Sequence, residues 1–310
     1  MCHRVECDVD VDTPFVQWKT ELLSRLEAMA AKGSAMRADA AASPAPMAPS
    51  SKRAHTRSNP LSVPLIEKKA LTKDVSSKLT LHLGFSVADS GLRYEAGDAC
   101  GVVPQNDPRL VAEILEALKF SGSERVEVPS SGASSLYDAL LHSLQITRLN
   151  RKMAQAYATK GGCQGLLDLL VPEQQSHLDQ YIYDRGLIDL LVEYPGVLTR
   201  PDEVTGMLSK LAPRLYSISS SPIAHAGEVH ATVAIVRYRA HNMERGGVCS
   251  TLFADRVAVG DTLPIYIQPN KKFRLPGADV PIIMIGPGTG IAPFRAFLHE
   301  RRALGCTGRN

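Results

Sequence analysis

Three short segments have side chains and backbone suited to gripping a flat, phosphorylated ligand. The first is Arg214-Leu-Tyr-Ser217. A guanidinium can fork onto a diphosphate, a tyrosine ring can lie on a flat aromatic system, and a hydroxyl can hydrogen-bond a ring nitrogen. Alternate residues of a strand share a face, so Arg214 and Tyr216 could meet one ligand together. An ordinary strand with a surface arginine and a core tyrosine would use the same four residues. The second segment, Gly246-Gly-Val-Cys-Ser-Thr251, precedes a helical Leu252-Phe-Ala-Asp255. Its glycines allow close backbone approach, and the unpaired amides of a helix start attract phosphate. A plain turn capped by Ser250 or Thr251 reads the same way. The third, Gly286-Pro-Gly-Thr-Gly290, lies between an apolar Pro281–Ile285 and a helical stretch over 291–304. It is neither a P-loop nor the Gly-x-Gly-x-x-Gly fingerprint, because Ile291 stands where the third glycine belongs. Three glycines directly between strand and helix favour phosphate or nicotinamide binding over a simple connector.

These segments need a scaffold, and the apolar pattern supplies one. Leu79, Leu81, Leu83, Phe85 and Val87 alternate with smaller or polar residues, the period of a half-buried strand. Glu228–Tyr238 and Asp261–Gln268 read as further strands, and no helices lie between neighbours as a parallel sheet requires. An antiparallel barrel is expected over 61–274. A helical block over about 107–212 interrupts it. Asn106-Asp-Pro108 starts a helix whose buried stripe is Leu110, Ile114 and Leu118, and Leu136, Leu140 and Leu144 repeat the spacing. Further helices are expected near Lys152–Ala158, Glu173–Tyr183 and Asp202–Leu211. Over 275–310, a short buried strand at Pro281–Ile285, the glycine loop and a helix read as the opening of an α/β nucleotide-binding domain. Only 20 residues follow Gly290, too few for the crossovers of a complete parallel sheet. The fold class expected is therefore α+β and multidomain.

Composition narrows the function. The chain has 310 residues, 44% hydrophobic and 22% charged, which suits a globular protein of about two domains. No apolar run approaches the ~18 residues of a membrane span, and Met1–Asp12 lacks the apolar core of a secretory signal. A net charge of +3 is small, and the basic excess sits in residues 31–60, where it reads as a solvated linker. Neither nucleic acid nor a membrane is an expected partner. Six cysteines show no Cys-x-x-Cys pair, so no metal site is expected, and free thiols in the cytoplasm are the default. Residues 31–60 are rich in alanine, serine and proline and should form a flexible tether. Before them, Phe15, Trp18, Leu22, Leu23 and Leu26 fall at helical spacing, as if closing a domain whose body is absent.

In this order the three segments resemble the ferredoxin-reductase-like flavoproteins, and more closely their diflavin branch. Gly91-Leu-Arg-Tyr-Glu-Ala-Gly-Asp98, Gln105-Asn-Asp-Pro108 and Ile285–Phe297 look most like the bacterial sulfite reductase flavoprotein family. The resemblance covers roughly residues 61–310, and residues 1–30 look like the end of that family's flavodoxin domain. It implies FAD gripped through Arg214, Leu215, Tyr216 and Ser217, with Arg214 on the pyrophosphate, Tyr216 on the isoalloxazine and Ser217, the one catalytic candidate, near flavin N5. It further implies contacts to FAD from Thr232, Val233 and Ala234, stacking of Tyr238 on adenine, and a pyrophosphate loop of Gly247, Val248, Cys249 and Ser250. Gly286, Gly288, Thr289 and Gly290 would approach NADPH. The function implied is electron transfer from NADPH through FAD and FMN to a haemoprotein carrying sirohaem and an iron–sulfur cluster, which reduces sulfite to sulfide. FMN loops would lie before Met1 and the rest of the NADP site beyond Asn310, so a truncated chain poor in NADPH turnover is expected. An FAD-binding module without catalysis, or a reductase serving nitrate reductase or a cytochrome, are the alternatives.

Overall fold

The computed structural model describes residues 55–128 and 132–308, with positions 16, 19–21, 23–25 and 28. The chain divides into two units, 1–48 and 49–310. In the first, the described positions are helical, and Thr20 Oγ1 donates to the Val16 carbonyl at 2.8 Å. Phe15, Trp18, Leu22, Leu26 and residues 31–54 of the expected 31–60 tether lie outside the described residues.

The second unit is built on strands β1 (Leu61–Ala70), β2 (Thr80–Ser86) and β3 (Ala99–Val102), followed by helix α1 (Pro108–Leu118). A hairpin of β4 (Arg125–Val128) and β5 (Gly132–Ser135) comes next. Then follow helices α2 (Arg151–Gly161), α3 (Gln164–Leu169), α4 (Gln175–Ile182), α5 (Leu187–Glu193) and α6 (Pro201–Met207). The chain returns to strand at β6 (Arg214–Ser217), β7 (Glu228–Ala234), β8 (Arg237–Ala240) and β9 (Met243–Gly246). A helical turn α7 (Val248–Thr251), strand β10 (Thr262–Gln268) and helix α8 (Ala292–Ala303) complete it.

Six strands form one antiparallel sheet in the order β6-β3-β10-β1-β2-β7. Its inward residues, among them Leu65, Leu83, Phe85, Val102, Val233 and Ile265, make one core together with Phe253. Alternation of these residues along each strand is what places them on a common face. The two outer strands meet just past β6, where Ile218 bridges Ala231 and the Ser219 amide donates to the His230 carbonyl at 2.9 Å. Tyr94 fastens this junction, sharing a 2.6 Å hydrogen bond with Ser220 and donating to the Glu228 carbonyl at 2.9 Å.

The helical block has its own core, running from Val111 through Leu140, Tyr157 and Leu190 to Leu208. Helix α1 begins at Asp107, whose carboxylate accepts from the Arg109 amide, with Pro108 in the first turn where its missing N–H costs nothing. Asn106 is fully buried and ties the block together by donating to the Leu140 and Leu144 carbonyls at 2.6 and 2.8 Å. The spacing of Leu136, Leu140 and Leu144 is met by a short helical turn continuing into a π-helical one over Ala139–Ser143.

One expected strand is absent. Pro281–Ile285 joins no ladder, and Ile283 and Ile285 are exposed. Among the described residues no strand runs alongside it, and an extended segment without a neighbour has nothing to pair its backbone with. The glycine loop and helix after it do form, as a 3₁₀ turn over Gly288–Ile291 running into α8. Phe294 and Phe297 of α8 pack with Phe273, the Phe273 and Phe297 rings stacking at 5.0 Å.

Candidate functional site

Strand β6 presents its residues alternately. Arg214 and Tyr216 point one way and are half-buried, whereas Leu215 and Ser217 are exposed on the other. Arg214 and Tyr216 face a cleft of about 280 Å³. Its other walls are Thr147 and Arg148 from the segment before α2, Ala234 at the end of β7, Val236 between β7 and β8, Tyr238 of β8, and Gly246 to Ser250 around the start of α7. Residues distant in sequence thus line one cavity.

The chemistry of the cleft follows from its lining. Arg214 and Arg148 make no side-chain hydrogen bond or salt bridge among the described residues, so two guanidinium groups stand available for an anion. Neighbouring arginines are engaged elsewhere. Arg245 pairs with Asp189 at 2.5 Å, both nearly buried, and Arg256 donates to the Asn106 carbonyl at 2.6 Å. Tyr216 packs its ring edge-on against Phe253 at 5.9 Å. Burial first, and then the neighbouring Cys249 thiol, hold the Tyr216 phenol above its usual range, so it stays neutral. Burial likewise pushes the Cys249 thiol up to about 12, which makes it a small neutral wall group and not a nucleophile. Burial and the adjacent Asp184 raise the Tyr238 phenol in the same sense, while Arg245 and Arg148 act against it.

Gly247 explains the shape of the turn. Its φ of −69° suits any residue, so conformational freedom is not the reason for a glycine. A Cβ there would stand 2.6 Å from Ser250 Oγ and 3.2 Å from Val236 Cβ. Ser250 Oγ accepts from the Val236 amide at 3.2 Å and donates to the Gly247 carbonyl at 3.2 Å, stitching β7's extension to the turn. The amides of Val248, Cys249 and Ser250 open α7 and have no intrahelical acceptor.

Of the residues singled out from sequence, Arg214, Tyr216, Ala234, Tyr238, Gly247, Val248, Cys249 and Ser250 share this cleft. Leu215, Ser217, Thr232 and Val233 are not among its lining residues; Val233 is buried in the sheet core, and Thr232 pairs with His82 of β2. Gly286, Gly288, Thr289 and Gly290 form a separate, largely exposed turn at the start of α8. Gly286 is required there by close approach, since a Cβ would lie 2.6 Å from the Gly290 carbonyl oxygen. Sequence reasoning missed Thr147, Arg148 and Val236. Thr147 and Arg148 carry no local motif and reach the site only because the helical block folds back on the sheet.

Residues 53–252 match the protein family described as "FAD binding domain". The chain belongs to that family. It is also similar to sulfite reductase (NADPH) flavoprotein alpha-components. It is 41% identical to that of Bacillus subtilis over 308 residues, 99% of this chain and 50% of the relative. It is 35% identical to that of Vibrio vulnificus over 309 residues, 99% of this chain and 49% of the relative, and 38% identical to that of Citrobacter koseri over 311 residues, 100% and 51%. The chain spans about half the length of the curated relatives it matches.

The cleft suits the ligand in the family's description. FAD combines a diphosphate with two flat ring systems. The cleft offers two uncommitted guanidinium groups, two tyrosines held neutral, and a glycine turn whose first amides have no intrahelical acceptor. Among the described residues no helix is long and apolar enough to cross a membrane.

Proposed function

We propose that this chain is the FAD-holding portion of an NADPH-dependent reductase that passes electrons, through an FMN domain, to a haemoprotein that reduces sulfite to sulfide. The observation that carries the reading is the meeting of Arg214, Tyr216 and the Gly247 turn around one cleft. The similarity to sulfite reductase flavoprotein components supplies the donor, the acceptor and the haemoprotein partner. FAD, when bound, supplies hydride acceptance and the release of single electrons.

The chain's own residues bind and orient. Arg214 and the amides of the Gly247–Ser250 turn hold the diphosphate, Tyr216 covers the isoalloxazine, and Tyr238 packs on the adenine. Backbone at Thr232, Val233 and Ala234 borders the ligand at the sheet's outer strand. Ser217 and Leu215, exposed on the other side of β6 from Tyr216, would stay accessible to a hydride donor, and Ser217, next to Tyr216 along the strand, would offer its hydroxyl to the edge of a bound flavin. Gly286, Gly288, Thr289 and Gly290 leave room for NADPH at the start of α8. In this reading the six-stranded sheet curls into a barrel over 61–274, joined where Ile218 meets Ala231, and the helical block over about 107–212 is the segment that spaces the FAD and FMN domains. Residues 275–310 then begin the NADP-binding domain. The unpaired cysteines Cys100, Cys163, Cys249 and Cys306 go with a reducing cytoplasm.

A variant separates binding from chemistry. In a protein of the relatives' full length, Ser217→Ala should retain FAD while slowing its reduction by NADPH, followed by stopped-flow absorbance. Loss of FAD from this variant would refute the division of roles between Ser217 and Arg214.

A further inference from the structure

The cleft contains a cation that no motif accounts for. Arg148 belongs to the segment joining the π-helical turn to α2, and it lines the cleft together with Arg214 and Tyr216 of β6. It is exposed and has no hydrogen-bond or ion-pair partner among the described residues. Its position differs from that of Arg93 and Arg125, which also lack such partners but do not line the cleft. It differs too from Arg185 and Arg245, whose side chains are committed to Glu193 and Asp189.

The two uncommitted guanidiniums reach the cavity from different parts of the fold. Arg214 comes from β6, the strand that also carries Tyr216, whereas Arg148 comes from the helical block, and both line the cleft together with Tyr238. A ligand spanning from Tyr216 to Tyr238 would therefore meet positive charge twice. Asp184, beside Tyr238, is the carboxylate that could have neutralised Arg148, yet no ion pair joins them. An exposed cation with no partner in the fold, lining an anion-accepting cleft, contributes when the anion arrives.

We propose that Arg148 is a second phosphate-binding residue of this site, contacting the diphosphate from the Tyr238 side while Arg214 contacts it from the Tyr216 side. This rests on the reading of the cleft as an FAD site and deepens it. The ligand class recognised is an adenosine diphosphate moiety, so the contact is blind to the flavin ring.

Calorimetric titration of the 310-residue chain with FAD, ADP and riboflavin tests this, using Arg148→Ala, Arg148→Lys and Arg214→Ala. Arg148→Ala should weaken FAD and ADP by about ten-fold, the worth of one charge-assisted contact. It should leave riboflavin affinity and the ligand-free melting temperature unchanged, because the side chain is exposed. Arg148→Lys should recover part of the loss, and the deficit of Arg148→Ala should shrink as salt is raised. If Arg214→Ala weakens FAD while Arg148→Ala does not, the second contact is refuted and the site reading stands. An equal loss for riboflavin and ADP would also refute it, since the role would then not be toward phosphate. If the unaltered chain fails to bind FAD, both fall together.

Discussion

Replacing Gly247 by alanine isolates steric closeness from backbone freedom. The φ of −69° and ψ of 123° are open to alanine, so no strain arises from the main chain. The cost must come from the new Cβ, placed 2.6 Å from Ser250 Oγ. A carbon and an oxygen cannot remain that close, and the Ser250 hydroxyl must swing away. It then gives up its bonds with the Val236 amide and the Gly247 carbonyl, each worth about 0.5–1.5 kcal/mol. Gly247→Ala should therefore destabilise the chain by about 1–3 kcal/mol, read as a lower urea midpoint with unchanged slope. Ser250→Ala removes the same bonds and the atom in the way. The double variant should accordingly cost little more than Ser250→Ala alone, so the coupling in a double-mutant cycle should approach the whole cost of Gly247→Ala, about 1–3 kcal/mol. Strict additivity, or a Gly247→Ala variant as stable as the parent, would refute the steric argument and with it the shape assigned to the turn.

Two further outcomes follow from buried titratable groups. Cys100 and Cys249 are buried, with thiols pushed up to about 12 mainly by desolvation, so maleimide at pH 8 should leave both unmodified in the folded protein while half-exposed Cys306 reacts. Labelling of Cys249 as fast as Cys306, seen by peptide mapping, would contradict its place behind Tyr216. Between the sheet and α8 lie His82, His230, His225 and His299, beside Arg295, Glu67, Glu228 and Glu300, with ring centroids 4.7–4.9 Å apart. Burial and then neighbouring cations hold His299 below its usual value; burial, working against Glu67 and Glu228, does the same to His82 and His230. A histidine lowered in the folded state binds its proton more readily unfolded, so its stabilising contribution is whole above about pH 6.5 and is lost as pH falls toward the lowered values. Urea midpoints should fall between pH 7 and 5, and His230→Gln should flatten that slope; an equal slope in the variant would exclude the cluster as its origin.

The parts of the fold legible in sequence are those whose pattern is local and long. Strands β2 and β10 announce themselves by alternation, and α1 by its buried stripe and Asp107-Pro108 start. The hairpin of β8 and β9 does not, because each strand has four residues and its turn uses His241 and Asn242 at positive φ, where glycine would have been the signal. Pro281–Ile285 misled for the opposite reason. An apolar run has the composition of a buried strand whether or not another strand is there to pair with it. In the cleft, the β6 and Gly247 segments were visible as motifs, since each gathers its chemistry within a few residues. Arg148 and Thr147 were not, because their place depends on how the helical block closes over the sheet, which no spacing records.

Titration of the purified chain with FAD, comparing the parent with Arg214→Ala, tests the central claim most directly. One FAD per chain should bind, with the flavin absorbance perturbed, and Arg214→Ala should lose about 1.5–3 kcal/mol of that affinity, the value of a charge-assisted contact to phosphate. A folded chain that remains colourless in excess FAD, or that holds it equally well without Arg214, would contradict the assignment of this cleft.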